Sequence, residues 1–326
     1  MRIPRRQFLR LTAGAAAVPA LARLARAQAY PDRPIKIVVP LPPGATADTL
    51  PRIIGAKLTA KWGQPVLIEN RPGAAQNLGA EMVARAEPDG YTLLATPQGP
   101  LTISRYLYPR LGFDADAFVP ITIMAALSYV LVTHPAAPIA TLDALIAFAK
   151  AHPDKLNYAS PGVGSSNQIA MEWFKGLADI RLTHVPYRGA APALTDLLAG
   201  NVDVMFDNAG NVMSLIKDGR LKALAVSART RMAELPDAPA IAERFPQFVA
   251  TSWFAMVAPP KTPAEIANRL SNAVVEALHT PDVTDRVREM SAAVVATSPA
   301  ETAAFLRKET EQWGRVIAAA GIKPVE

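Results

Sequence analysis

The chain has 326 residues, half of them hydrophobic, and no cysteine, which excludes disulfides, thiolate metal sites and cysteine nucleophiles. Its 34 basic side chains exceed its 28 acidic ones, giving a formal +6, and the arginines of residues 1–29 account for the whole excess. The remainder is electrically balanced, so nonspecific binding to nucleic acid or an anionic membrane surface, which draws on clustered Lys and Arg, is not expected.

Residues 1–29 read as an export signal. Arg2, Arg5, Arg6, Arg10, Arg23 and Arg26 are its only charges. Arg5-Arg6-Gln7-Phe8-Leu9-Arg10 precedes a mildly apolar run from Leu11 to Ala22, and Ala27-Gln28-Ala29 forms a small-x-small cleavage site. Adjacent arginines before Phe-Leu resemble a twin-arginine signal, and Arg23 and Arg26 suit the general secretory route poorly. Cleavage after Ala29 would start the mature chain at Tyr30 and place it in the periplasm. The longest later apolar run, Ile121 to Thr133, falls well short of the roughly 20 residues that span a bilayer, so a soluble mature protein is expected.

Strands and helices then alternate. Ile35 to Val39 is a β-branched run stopped by Pro40, and Pro42-Pro43-Gly44 makes a turn before a helical period from Asp48 to Lys61. A strand at Val66 to Glu69, a turn at Asn70 to Gly73 and a helix from Asn77 to Ala86 repeat the order, and Tyr91 to Ala95 is a further strand. Helix at Leu142 to Ala151, strand at Leu156 to Ala159, helix at Ser166 to Ala178, strand at Thr183 to Val185, helix at Pro192 to Ala199 and strand at Val202 to Phe206 follow. Helices return at Pro263 to Leu278, Pro281 to Met290 and Pro299 to Ala320, each opened by a proline, which costs nothing in a first helical turn. Such alternation predicts an α/β protein with mostly parallel, covered sheets. Phe118 to His134 and Thr251 to Pro260 are extended and apolar, and are expected to cross between two lobes, residues 30–134 with 251–326 and residues 135–250. A cleft should lie between them at the carboxyl ends of the strands.

Several familiar chemistries are missing. His134, His152, His184 and His279 are isolated, with no zinc-binding spacing. Gly162-Val163-Gly164 begins a dinucleotide fingerprint, but Asn167 occupies the third glycine position. Gln168 replaces the trailing glycine of a hydrolase elbow at Ser166. No metal, cofactor or catalytic residue is expected.

What is present are small-residue loops before helices: Gly44-Ala45-Thr46, Gly73-Ala74-Ala75-Gln76-Asn77, Gly164-Ser165-Ser166-Asn167 and Gly189-Ala190-Ala191. Small side chains let backbone amides approach a ligand, and each helix N-terminus favours an anion. These glycines and alanines equally serve turns and close helix packing. Thr46 and Asp48 either face a ligand or cap the helix that follows. Ser165, Ser166, Asn167 and Gln168 can cap a helix and still offer polar groups. Arg71 and Arg188 are carboxylate partners or solvated turn residues. Asp207 ends an apolar strand, as a ligand contact or as a turn aspartate.

The run Val185-Pro186-Tyr187-Arg188-Gly189-Ala190-Ala191-Pro192-Ala193-Leu194-Thr195-Asp196-Leu197-Leu198-Ala199-Gly200-Asn201-Val202-Asp203-Val204-Met205-Phe206-Asp207-Asn208 resembles the signature of the substrate-binding proteins of tripartite tricarboxylate transporters, also called Bug receptors. Pro42-Pro43-Gly44 with Asp48, Glu69-Asn70-Arg71-Pro72-Gly73-Ala74 with Asn77, and Pro88-Asp89-Gly90-Tyr91 support it. The resemblance implies a type II periplasmic binding protein fold, two mostly parallel sheets joined by two crossing strands. It further implies a monomer without cofactor that closes on a small organic carboxylate or dicarboxylate for uptake through membrane permease subunits. A sensor kinase is the alternative partner. The implied ligand residues are Gly44, Ala45, Thr46, Asp48, Ala74, Ala75, Gln76, Asn77, Ser165, Ser166, Gln168 and Asp207. Ala45, Ala75-Gln76 and Gln168 depart from the glycines and histidine usual at those positions. Added Cβ atoms narrow the backbone's approach to an anion, and Gln76 can displace a bridging water. An exported hydrolase using Ser165 or Ser166 with His184 is the competing reading.

Overall fold

β1 (Ile35–Val39) is buried at every position but Lys36, as expected for a strand covered on both faces. The computed structural model describes residues 30–44 and 46–324; the expected leader, its cleavage site and Ala45 lie outside the described residues. After β1 come α1 (Thr46–Trp62), β2 (Val66–Asn70), α2 (Asn77–Ala84) and β3 (Thr92–Pro97). β1 lies parallel between β2 and β3, so the turns that follow β1 and β2 emerge at the same edge of the sheet.

β4 (Val119–Thr133) joins the lobes. Residues 119–128 run antiparallel to β9 (Thr251–Ala258), whereas Tyr129–Thr133 run antiparallel to β7 (Val204–Asn208) and β8 (Lys222–Val226). The change of partner at Ser128/Tyr129 marks the passage from one lobe to the other. β9 starts at that point and runs back along β4 beside β3. The second lobe is built from α3 (Leu142–Ala151), β5 (Asn157–Ser160), α4 (Ser166–Ala178), β6 (Thr183–Pro186), α5 (Ala190–Leu198), β7, α6 (Ala209–Lys217) and β8. Here β5 lies parallel between β6 and β7. The strand order is β2-β1-β3-β9-β4-β7-β5-β6, parallel within each lobe and antiparallel along the crossing strands.

α7 (Ala264–Leu278), α8 (Pro281–Glu289), the short β10 (Ala293–Val294) and α9 (Pro299–Ala319) close the chain. α9 opens with a capping box, Ser298 accepting from the Glu301 amide while Glu301 accepts from the Ser298 amide. Its Phe305 and Leu306 pack beside Trp253 in the first lobe, whereas Trp313, Val316 and Ile317 join Phe174 and Phe248 in the core of the second. Half-buried Glu309 ties these together, accepting from Trp253 Nε1 at 2.7 Å and Trp313 Nε1 at 3.1 Å. No helix among the described residues is long and apolar enough to cross a membrane.

Several elements depart from the sequence expectations, and α6 and β10 were not expected at all. β7 runs Val204–Asn208 instead of Val202–Phe206, so Asp207 and Asn208 belong to the strand and stay inside the sheet. α5 starts at Ala190, two residues before the expected proline. β8, Lys-Ala-Leu-Ala-Val, carries no expected signal because alanine favours helix over strand, and only pairing with β4 makes it extended.

Candidate functional site

The cleft between the lobes contains two neighbouring compartments that share walls at Leu41, Pro42, Gln76, Pro161 and Gly189. The hinge-side one, about 390 Å³, reaches Ser252 and Phe254 of β9. The rim one, about 600 Å³, reaches Tyr108, Tyr187 and Arg188. Both volumes suit a small organic molecule.

Of the residues expected to hold a ligand, Gly44, Gln76, Ser166 and Asp207 line the hinge-side compartment. Ala74, Ala75, Gln76 and Ser165 line the rim compartment. Thr46, Asp48, Asn77 and Gln168 line neither, and each is engaged elsewhere. Asp48 is enclosed by its own lobe: Oδ2 accepts from the Gly44 amide and Arg52 Nε, and Oδ1 accepts from Asn70 Nδ2 and Arg52 Nη2. These donors hold its carboxyl below the usual carboxylate range against the opposing, and largest, effect of burial. Asp48 therefore braces the Pro42–Gly44 turn. Asn77 Oδ1 accepts from Ser104 at 2.7 Å, and Gln168 Oε1 accepts from the Gly164 amide at 2.6 Å. Thr46 Oγ1 donates across the cleft to Asn211 Oδ1 at 3.4 Å. Of the two arginines, Arg188 reaches the rim compartment, while Arg71 is exposed and paired with Glu69.

The lobes touch on both sides of the cleft. Besides Thr46 and Asn211, Tyr108 donates to the Val163 carbonyl at 2.9 Å. Gly210, in the first turn of α6, lies so close to the Met290 carbonyl at the end of α8 that a Cβ would collide with it. α4, α5 and α6 all begin at the hinge-side compartment, where Asn167, Ala190 and Asn208 are wall residues. Their free N–H groups favour negative charge there.

The loop before α2 is strained. Ala74, Ala75 and Gln76 have φ of 45°, 48° and 80°, a left-handed run of three residues that carry Cβ atoms. Such conformations cost about 1–2 kcal/mol per residue and persist where surrounding structure imposes them. The run delivers Gln76 to the boundary of both compartments and sets its Oε1 against Gly99, buried and without a partner.

Asp207 is fully buried at the end of β7. Its Oδ1 accepts from the Asn208 amide at 2.7 Å and Asn211 Nδ2 at 3.0 Å, whereas Oδ2 has no partner among the described residues. Burial pushes its carboxyl up to about 6, against the pull of those two hydrogen bonds. Asn208 Oδ1 is also buried and unpartnered. Nearby Tyr129 is fully buried and accepts from Gln98 Nε2 at 3.3 Å; burial pushes its phenol up to about 12.

His184 does not meet Ser165 or Ser166. It lies 2.6 Å from the hydroxyl of fully buried Ser160 and stacks on Tyr158, and burial pushes its imidazole down to about 4. Ser165 caps α4 by accepting from the Gln168 amide. Residues that the sequence did not single out as contacts include Asn208, Asn211, Tyr108 and Ser252. Asn211 had one available signal, its place four residues after Asp207 in a first helical turn. Ser252 and Tyr108 had none, because they reach the cleft only through long-range packing.

A family model described as the tripartite tricarboxylate transporter family receptor matches residues 50–322. The chain is 35% identical over 300 residues to Protein BugT of Bordetella pertussis, covering 91% of this chain and 92% of that protein. Among solved structures it resembles R. palustris Rpa4515 with adipate, at TM-score 0.87 and 33% identity, covering 91% of this chain and 100% of that one. It also resembles MatC from Rhodopseudomonas palustris with bound malate, at TM-score 0.83 and 32% identity, covering 88% of this chain and 100% of that one.

Proposed function

Because the chain belongs to the tripartite tricarboxylate transporter receptor family, we propose that it is an exported receptor whose lobes close on a small organic carboxylate. The observation that carries this reading is the cleft, where small-residue loops and the starts of several helices meet around about 390 Å³ of space. Two structural relatives hold adipate and malate, which are ligands of this class. Gly44, Ala74, Ala75, Gln76, Ser165, Ser166 and Asp207 are the proposed contacts from the sequence reading, joined by Asn208 and Arg188. Thr46 would close the cleft through Asn211 without touching the ligand. Ala45 remains a proposed contact of the loop before α1.

In this reading lobe 2, residues 135–250, moves against residues 30–134 and 251–326, with the last turns of α9 travelling with lobe 2. The leader and cleavage after Ala29 would deliver a periplasmic monomer to permease subunits or a sensor kinase. No chemistry is assigned to the cleft, since the only histidine near these loops, His184, is bonded to Ser160.

Native mass spectrometry of the protein purified from cells, with identification of what denaturation releases, tests the reading together with thermal shift against a carboxylate panel. A released carboxylate, or a shift growing as RT ln(1 + [L]/Kd), is expected. An empty protein that no carboxylate stabilises would overturn it.

A further inference from the structure

The wall of the hinge-side compartment holds an acceptor pole that nothing among the described residues satisfies. Asp207 Oδ2 and Asn208 Oδ1 are both buried without a partner, and both residues line this compartment. A buried acceptor left unpaired costs about 1–3 kcal/mol, so it marks a place where something else supplies the hydrogen. Asp207 is also the only charged residue among the described residues of this wall. The starts of α4, α5 and α6 lend partial positive charge there, but an ionised ligand carboxylate would still meet an ionised Asp207 with no Lys or Arg between them, and of two carboxylates sharing a site one has its pKa strongly raised.

We propose that this compartment selects the ligand end that bears a hydrogen, with Asp207 and Asn208 as its acceptors. A hydroxyl, amide or ammonium group meets the requirement directly; a carboxylate meets it only by entering with one proton, shared with Asp207. The proposal rests on the receptor reading and adds to it the polarity of the site. A ligand with one ionised carboxylate turns that charge toward the rim compartment, whose wall includes Arg188.

The groups around Asp207 leave it as the titrating partner. On β4, Tyr129 keeps its proton throughout the neutral range. α4 presents Ser166 and Asn167, the latter donating to the Phe206 carbonyl, and α6 presents Asn211. On α1, Thr46 reaches Asn211, while Asp48 is neutralised by Arg52. Glu309 on α9 acts on Tyr129 from a distance and is held by Trp253 and Trp313. Above the pH at which Asp207 ionises, uptake of one proton with a dicarboxylate costs about tenfold in affinity per pH unit. A ligand ending in a hydroxyl or amide incurs no such cost.

Calorimetry between pH 6.5 and 8.5 tests this with matched sets of four and six carbons: succinate and adipate against the ω-hydroxy, ω-amino and ω-amide monocarboxylates. In the set that fits, the dicarboxylate Kd should rise about tenfold per pH unit, with one proton taken up when phosphate and Tris buffers are compared. The matched hydroxy and amide ligands should change less than about threefold and take up none, or should be the only ones that bind. Asp207→Asn, which places an amide at the pole, should remove the dicarboxylate's pH dependence. A dicarboxylate that binds the wild-type protein with a flat pH profile and no proton uptake would overturn the proposal, as would a slope unchanged in Asp207→Asn. Should that variant fail to fold, the wild-type proton count decides alone. Failure of every compound to bind at any pH would instead count against the receptor reading.

Discussion

The buried hydroxyl of Ser227 holds Tyr129 at the residue where β4 passes from one lobe to the other. The Tyr129 amide donates to Ser227 Oγ at 2.8 Å, and the Ser227 amide donates back to the Tyr129 carbonyl at 2.9 Å. Ser227 Oγ in turn donates to the Ala250 carbonyl at 2.5 Å, immediately before β9 begins the return path. One hydroxyl therefore bonds the outgoing and the returning chain at the hinge.

Ser227→Ala should strand a buried amide and a buried carbonyl at this point. A loss of about 2–3 kcal/mol in urea unfolding is expected, since each unsatisfied buried group costs about 1–3 kcal/mol. A loss below about 0.5 kcal/mol would show that water or a local shift replaces the hydroxyl.

Gly210→Ala should push α6 away from the Met290 carbonyl and wedge the lobes apart. Overpacking of this kind costs about 1–3 kcal/mol. Small-angle scattering should report a larger radius of gyration than wild type, and an unchanged radius with unchanged melting temperature would contradict a cross-lobe contact here.

Ala75→Gly should stabilise the protein by about 0.5–1 kcal/mol, because glycine adopts φ of 48° without the Cβ penalty that alanine meets, less the greater entropy of its unfolded chain. Thermal unfolding reads this directly. The same variant should leave the loop freer to move, so any gain in melting temperature tests strain and not contact.

Asp207 and His184 should act on stability with opposite signs as pH changes. The Asp207 carboxyl is raised in the folded protein, to about 6, so its contribution is full below the unfolded value of 3.8 and is lost as pH rises through about 6. His184 is lowered from 6.5 to about 4, so its contribution is present above 6.5 and is lost as pH falls toward 4. In Asp207→Asn, stability relative to wild type should grow by about 3 kcal/mol between pH 4 and pH 8, the equivalent of a roughly two-unit shift at a fully buried group. Parallel pH profiles for the two proteins would refute that assignment.

Much of the frame was legible because it is written in local pattern. The β-branched run Ile35–Val39 and the helices Leu142–Ala151 and Ser166–Ala178 coincide with their expected bounds. The apolar run ending at Thr133 became the strand shared by both lobes. β8 was not legible, since its alanines and lysine acquire extended backbone only from β4. Asp48 was readable as a helix-start residue. Its enclosure by Arg52 and Asn70 depends on a partner 22 residues away, which local pattern does not carry.

From the sequence alone came the electrical balance after residue 29, most of the strand and helix order, and the motif that marks the family, because each depends on composition or neighbouring residues. Only the tertiary structure showed Asp48 bracing a turn, and Asp207 in the wall of the cleft with one buried oxygen unpartnered among the described residues. The two are alike as side chains. They differ in what packs around them: a guanidinium and donors for Asp48, and for Asp207 a buried wall with no countercharge among its described residues.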